Sequence, residues 1–176
     1  MINLIKKLSA ALAVCALFAT GPAHAAYDLT TFNTGASGGG YTSVSSNLAA
    51  MVSTSWISKS VYNVTSFDWY FTTSDYMPFN DSGYVSLNGG AHTILANVAS
   101  VGDYGNSGGW QTYTFGSAFT GLLEFGSVNY ADSAFDSVLY VQNVAVVPEP
   151  ETYAMLLVGL GLIGFMVRRR KEEFNF

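Results

Sequence analysis

The sequence predicts an all-β protein with one jelly-roll-like β-sandwich between two terminal targeting segments. The central part of the chain is rich in Ser, Thr, Gly, Asn, Tyr and Phe and poor in the Glu, Lys, Arg and Leu of surface helices. Its apolar residues alternate with period two, as in Phe67, Trp69 and Phe71. Of 176 residues, the ends leave roughly 120, enough for a single core.

Turn-forming residues divide this central domain, residues 26–146, into short segments. Asn88-Gly89-Gly90 has the composition of a tight turn and predicts a hairpin. Segment 47–52 is equally compatible with a short helix and an irregular crossover. Eight strands are predicted, near 27–33, 41–45, 64–73, 82–87, 91–98, 110–116, 121–129 and 137–145. Strands this short and numerous are typical of a sandwich.

The first 25 residues have the order of a signal peptide. Lys6 and Lys7 precede an almost wholly apolar run, 8–20, and Ala23 and Ala25 supply the small residues at a cleavage site. The run is short for a bilayer, so removal by signal peptidase after Ala25 is favoured over a retained anchor. The sequence therefore predicts an exported protein.

The last 30 residues, 147–176, form a second targeting segment. A motif at 147–151 contains Pro148 and Pro150, which predict a stiff hinge. An apolar run follows over 153–167, about 22 Å as a helix and thus a marginal transmembrane helix. A basic cluster, 168–171, then predicts a cytoplasmic C-terminus. The alternative is an amphipathic helix packed on the domain.

This tail resembles the PEP-CTERM sorting signal of Gram-negative bacteria, from Val147 to Lys171. The resemblance implies transient anchoring in the inner membrane and processing by an exosortase. It assigns recognition to the motif Val147, Pro148, Glu149 and Pro150, and stop-transfer to Arg168, Arg169, Arg170 and Lys171.

The central domain also resembles a β-sandwich module of PEP-CTERM proteins and calcium-rich bacterial adhesins. The matching segments are 67–71, 75–81, 98–105 and 108–110, with Asp136-Ser137-Val138-Leu139 and Asn143-Val144 near the end of the domain. This resemblance implies the architecture of the domain rather than an activity.

Charge limits the partners of the domain. Residues 26–147 contain eight Asp or Glu and one Lys, Lys59, a net charge of −7. Nucleic acid and anionic membrane surfaces are therefore poor partners, whereas cations, neutral sugars and proteins remain compatible.

Five aspartates at expected loops or strand ends suggest a structural calcium ion, because calcium prefers hard oxygen ligands. They are Asp75, Asp81, Asp103, Asp132 and Asp136. The default interpretation is ordinary turn chemistry, in which the carboxylates accept hydrogen bonds from nearby backbone.

Four loop aromatics, Tyr76, Phe79, Tyr104 and Trp110, could stack on sugar rings; the alternative is that they fill the core.

A catalytic constellation is not evident. Gly105-Asn106-Ser107-Gly108-Gly109 lacks the aspartate of a trypsin-type motif, His92 belongs on a hairpin shoulder, and Glu124 should point to solvent. The sequence predicts no cofactor, and a structural calcium ion is the one alternative to that prediction.

The sequence thus predicts a non-enzymatic, exosortase-processed protein of the cell surface or extracellular matrix. Its role would be structural or adhesive, associated with exopolysaccharide or a biofilm. The alternatives are a lectin-like module with a defined glycan ligand and a small secreted hydrolase.

Overall fold

The computed structural model describes residues 25–147 and the C-terminal helix 150–173, with side chains of that helix given over 154–166. The predicted signal peptide, apart from Ala25, lies outside the described residues. So do Pro148 and Glu149 and the side chains of the basic cluster, so their predicted roles stay predictions.

The described chain is predominantly β-structure. Two short helical segments interrupt it, a 3-10 helix at Leu29–Thr31 and helix α1 at Val98–Val101, and helix α2, Pro150–Glu173, ends it. The strands are β1 Ala25–Ala26, β2 Asn33–Ala36, β3 Tyr41–Val44, β4 Leu48–Val52, β5 Ser55–Thr73, β6 Ser82–Leu87, β7 Thr93–Asn97, β8 Gln111–Val128 and β9 Ser137–Val146.

All strand pairs are antiparallel, and the sheet order is β3-β4-β9-β5-β8-β6-β7, with β2 beside β5 and β1 beside β9. Strand β5 changes register between Val61 and Ser66. Its first part, 55–61, pairs with β2 and with the second half of β8, and its second part, 64–73, pairs with β9 and with the first half of β8. The sheet therefore folds over along β5 and β8 into two layers, which confirms the predicted sandwich.

The fold-over gives the sandwich two different ends. At the bend end lie the register shift of β5 and Val147, whose backbone N–H donates to Asn63 O at 3.0 Å. At the loop end lie both termini of β5 together with the loops 74–81, 98–110 and 129–136. The chain thus leaves the sandwich toward its tail at the end opposite these three loops.

Aromatic and aliphatic side chains from both layers fill the space between them. Phe67 and Phe125 are fully buried and pack edge to face with ring centroids 4.7 Å apart. A Cβ at Gly83 would lie 2.9 Å from Leu139 Cδ1 and 3.0 Å from Phe71. Glycine at this position therefore lets the two layers approach closely.

The first predicted strand, 27–33, is wrong, because Asp28 begins a 3-10 helix there. The Asp28 carboxylate accepts hydrogen bonds from Thr30 N at 2.9 Å and Thr30 Oγ1 at 2.6 Å. These bonds satisfy the first turn and lower the pKa of Asp28. The strand begins only at Asn33.

Three further strand boundaries differ from the prediction. Segment 48–52 is strand β4, and β5 begins at Ser55, well before residue 64. The predicted strands 110–116 and 121–129 are one strand, because β8 continues through Gly121 at φ 149°. The predicted hairpin is confirmed, with Asn88 and Gly89 at φ 55° and 67° between β6 and β7.

The C-terminal helix α2 contains the predicted apolar run, but no helix among the described residues is both long and apolar enough to cross a membrane. The predicted transmembrane helix, 153–167, is therefore not found among these residues. The described side chains of α2, 154–166, are exposed, so the alternative of a helix packed on the domain is wrong.

Candidate ligand-binding site at the loop end

An aromatic cluster lies at the loop end, formed by Tyr76, Phe79, Tyr104 and Phe135. The ring of Tyr76 is central: its centroid lies 5.5 Å from Phe79, 5.7 Å from Tyr104 and 6.5 Å from Phe135. Tyr104 is 64% exposed and Phe135 55% exposed. The cluster therefore presents aromatic surface to solvent on three converging loops.

Backbone geometry holds these rings in place. Tyr104 and Phe135 have φ of 56° and 60°, which turns the chain sharply at each ring. The Tyr104 N–H donates to Asp75 O at 2.8 Å, and the Phe79 N–H donates to Tyr76 O at 2.9 Å. Main-chain hydrogen bonds thus join the loop of Tyr76 to the loop of Tyr104.

The structure brings together three of the four predicted glycan-contacting aromatics. Trp110 lies apart, packing against Tyr70 with centroids 6.0 Å apart, while Tyr70 packs against Tyr140 at 5.8 Å. Phe135 was not predicted, although its position between Asp132 and Asp136 in a turn-rich segment was the available signal.

Beneath the cluster, the core of the sandwich ends in a buried polar layer. Seven buried polar side chains at the loop end form it: Ser53, Ser55, Thr73, Asp75, Asp81, Ser127 and Ser137. Ser137 Oγ lies 2.7 Å from both Thr73 Oγ1 and Asp81 Oδ2. These bonds link the end of β5, the start of β6 and the start of β9.

Asp81 is fully buried, and each of its carboxylate oxygens accepts one hydrogen bond. Oδ1 accepts from Tyr130 N at 2.7 Å, and Oδ2 accepts from Ser137 Oγ. Burial raises the pKa of Asp81 above its ordinary value, and the carboxylates of Asp75 and Asp132 raise it further, whereas the two hydrogen bonds lower it. Charge at Asp81 is therefore stabilised only in part by its partners.

Asp75 is also fully buried but incompletely bonded. Its Oδ1 accepts from Tyr76 N at 2.8 Å, and its own N–H donates to Thr73 Oγ1 at 2.9 Å. Oδ2 has no hydrogen-bond partner, and neither has the buried Oδ1 of Asn129.

The five predicted calcium ligands do not converge. Asp103 accepts from Met77 N at 3.0 Å, Asp132 accepts from Ala134 N at 3.3 Å, and Asp136 accepts from Ser53 Oγ. These three carboxylates act within turns or as local hydrogen-bond acceptors. Nowhere in 25–147 or the described helix do three or more His, Cys, Asp or Glu side chains group around a metal position.

The residues considered for catalysis have structural contacts. Ser107 Oγ lies 3.2 Å from Phe71 N, whose hydrogen bond it accepts, and donates to Gly109 O at 3.0 Å. His92 stacks on Tyr84 at 3.6 Å, on the shoulder of the β6–β7 hairpin. Glu124 is half-buried rather than solvated, since Tyr84 Oη donates to its carboxylate at 3.0 Å. Burial and then the charge of Glu124 raise the pKa of Tyr84.

Several solved structures are similar to the sandwich at low identity. The Agl-KA catalytic domain shares 14% identity at a TM-score of 0.40, with 73% of this chain and 28% of that chain covered. This chain thus spans little more than a quarter of that relative.

Two carbohydrate-binding domains are matched over more of their own length. The C-terminal CBM6 of LamC, a laminarinase of Zobellia galactanivorans, shares 13% identity at a TM-score of 0.33, covering 67% of this chain and 98% of that chain. The N-terminal cellulose-binding domain of a Cellulomonas fimi β-1,4-glucanase shares 9% at 0.34, covering 67% and 89%. No curated protein sequence matches the chain.

The tail matches a protein-family model. The matched residues, 146–171, begin at the last residue of β9 and include the Pro-Glu-Pro motif, the apolar run and the basic cluster. This match confirms the resemblance of the tail and indicates export with sorting at the membrane. The chain is a β-sandwich protein that carries a PEP-CTERM protein-sorting motif at its C-terminal end.

Proposed function

We propose that this protein is an exported precursor that an exosortase processes at its tail, and that its sandwich then acts without catalysis at the cell surface or in the extracellular matrix. Its role there is structural or adhesive, among the exopolysaccharide of a biofilm. The observation that carries this proposal is the sorting motif, which starts where β9 ends.

The placement of the tail supports a role in display. Strand β9 runs from Ser137 at the loop end to Val146 at the bend end, a distance of about 30 Å at about 3.3 Å per residue. The tail follows at Val147, whose N–H is bonded to Asn63 O. A sandwich held by its tail therefore directs the aromatic cluster away from the attachment point.

Fractionation of cells tests the sorting step. We expect the full chain to reach the surface or medium in a host with exosortase, and to remain in the inner membrane without it. Glu149→Ala should cause the same retention with exosortase present. Glu172→Ala, a neutralised acid outside the matched residues 146–171, is the matched control and should be sorted normally. Normal sorting of Glu149→Ala, or of the wild type without exosortase, would contradict the proposal.

A second candidate is binding of a neutral glycan by the aromatic cluster. Exposed rings stack on sugar faces, and the net negative charge of the domain disfavours anionic ligands. The observation favouring it is the convergence of Tyr76, Tyr104 and Phe135, two of them more than half exposed.

Affinity electrophoresis in gels containing neutral polysaccharides tests this candidate. Tyr104→Ala should restore the mobility that the polysaccharide retards. Tyr62→Ala removes a ring of similar exposure, 52%, at the bend end and should leave retardation unchanged. Equal retardation of both variants would exclude the aromatic cluster as the glycan site.

A further inference from the structure

The buried polar layer at the loop end leaves negative charge and acceptor atoms unmatched. Asp75 and Asp81 are both 0% exposed and close enough for their charges to interact. The one Lys or Arg within 25–147 is Lys59, whose Nζ lies 3.3 Å from Thr31 O and away from this layer. Buried carboxylates ordinarily require a counter-charge or a full set of donors.

The buried atoms that lack a hydrogen-bond partner are all acceptors. Among the described residues, the buried side-chain polar atoms without a partner are Asp75 Oδ2 and Asn129 Oδ1, and both are oxygens. Thr73 Oγ1 accepts from Asp75 N and contacts Ser137 Oγ, which donates to Asp81 Oδ2. Asn129 precedes Tyr130, whose N–H donates to Asp81 Oδ1 at 2.7 Å. The hydrogen bonds of the layer therefore leave two acceptor oxygens near Asp81 without a donor.

We propose that a calcium ion binds at the loop end of the core, with Asp75 Oδ2 and Asn129 Oδ1 as ligands beside the Asp81 carboxylate. Calcium accepts carboxylate, amide and main-chain oxygens together and tolerates irregular geometry, whereas magnesium requires a near-octahedral set. Two carboxylates with neutral oxygens meet this requirement without a third acidic side chain.

The ion would join loops that carry the aromatic cluster. Asp75 immediately precedes Tyr76, and Asn129 begins the loop that contains Phe135. Neutralising the buried carboxylates favours the arrangement in which these loops meet. Calcium thus stabilises the loop end specifically, whatever ligand the aromatic rings contact.

Thermal unfolding of the full chain tests the site. After EGTA treatment, calcium at about 100 times its dissociation constant should raise Tm by on the order of 10 °C. Asp75→Asn keeps the shape of the side chain and removes its charge, so it should abolish the calcium-dependent shift while leaving the melt in EGTA unchanged or higher. Asp103→Asn, an exposed acid of the same loop end, is the matched control and should keep the full shift.

Overlapping wild-type melts in calcium and EGTA would overturn the proposal, and an unchanged shift in Asp75→Asn would overturn the assignment of the site. An equal shift with magnesium would contradict selectivity for calcium. Terbium binding to the wild-type chain is independent of variant folding: luminescence sensitised by Tyr76 should appear on addition of Tb³⁺ and fall on addition of Ca²⁺. No sensitised emission would refute an ion beside Asp75.

Discussion

Replacing Gly126 with alanine should destabilise the sandwich, because the ring of Tyr84 lies directly over this glycine. An added Cβ would lie 2.6 Å from Tyr84 Cε1 and closer still to Cζ and Oη. Ordinary carbon contacts are about 3.5–4.0 Å, so the ring must retreat by about 1 Å. That movement separates Tyr84 Oη from Glu124, now 3.0 Å away, and the ring from His92.

The magnitude follows from these contacts. Overpacking costs about 1–3 kcal/mol, and losing a hydrogen bond to a charged acceptor costs about 1.5–3 kcal/mol. Replacing a strand glycine returns about 0.5–1 kcal/mol of chain entropy. We therefore expect the free energy of unfolding to fall by about 2–4 kcal/mol.

Urea denaturation of the full chain measures this change, with Gly116→Ala as the matched control. Gly116 lies in the same strand and has no atom within 4 Å of an added Cβ, so its replacement should change stability by under about 1 kcal/mol. In a Tyr84→Leu background the cost of Gly126→Ala should shrink by more than half. Equal effects of the two glycine substitutions, or an undiminished cost in the Tyr84→Leu background, would refute the reasoning.

Three further perturbations probe the core, an ionisable group and a turn. Phe67→Ala should lower the free energy of unfolding, measured in urea, by about 3–5 kcal/mol. Tyr62→Ala, at an exposed position, should lower it by less than about 0.5 kcal/mol, and similar values for the two variants would contradict the assigned core. The pKa of Tyr84 is raised in the folded state, so the stabilisation that comes from this pKa difference is fully present below pH ~10. It is lost as the pH rises above that value, because the unfolded state then ionises. Denaturation at pH 9 and 11 should therefore show a decline that is smaller in Tyr84→Phe, and an identical decline would exclude Tyr84. Asn88→Ala should cost about 1–2 kcal/mol, because Asn88 has φ 55° and accepts from Leu122 N at 3.0 Å, whereas Asn88→Gly keeps the turn; equal losses would contradict a conformational role.

The sequence predicted the architecture better than the strand boundaries. Alternation at Phe67, Trp69 and Phe71 identified a strand because one face of it contacts the core. The same rule missed residues 55–61, because Lys59 interrupts the apolar series on the inner face between Ile57 and Val61. Continuation of β5 and β8 around the bend depends on pairing between distant segments, which local composition does not reveal.

The candidate site was predicted in part for a similar reason. Loop composition identified Tyr76, Phe79 and Tyr104, and turn-forming residues identified the aspartates. Burial distinguishes Asp75 from Asp103, yet each of the two immediately precedes a tyrosine in the sequence. Only the folded arrangement shows which carboxylates lie under the loops, because the layer is assembled from β5, β6, β8 and β9 together.

Intact-mass analysis of the protein recovered from cells and medium tests the central claim, that a sorting tail delivers a processed sandwich outside the cell. In a host with exosortase, the account predicts a mature chain that starts at Ala26 and ends near Pro148, Glu149 and Pro150. In a host without exosortase, it predicts that the tail is retained. An intact tail on the protein in its final compartment, with exosortase present, would contradict the account.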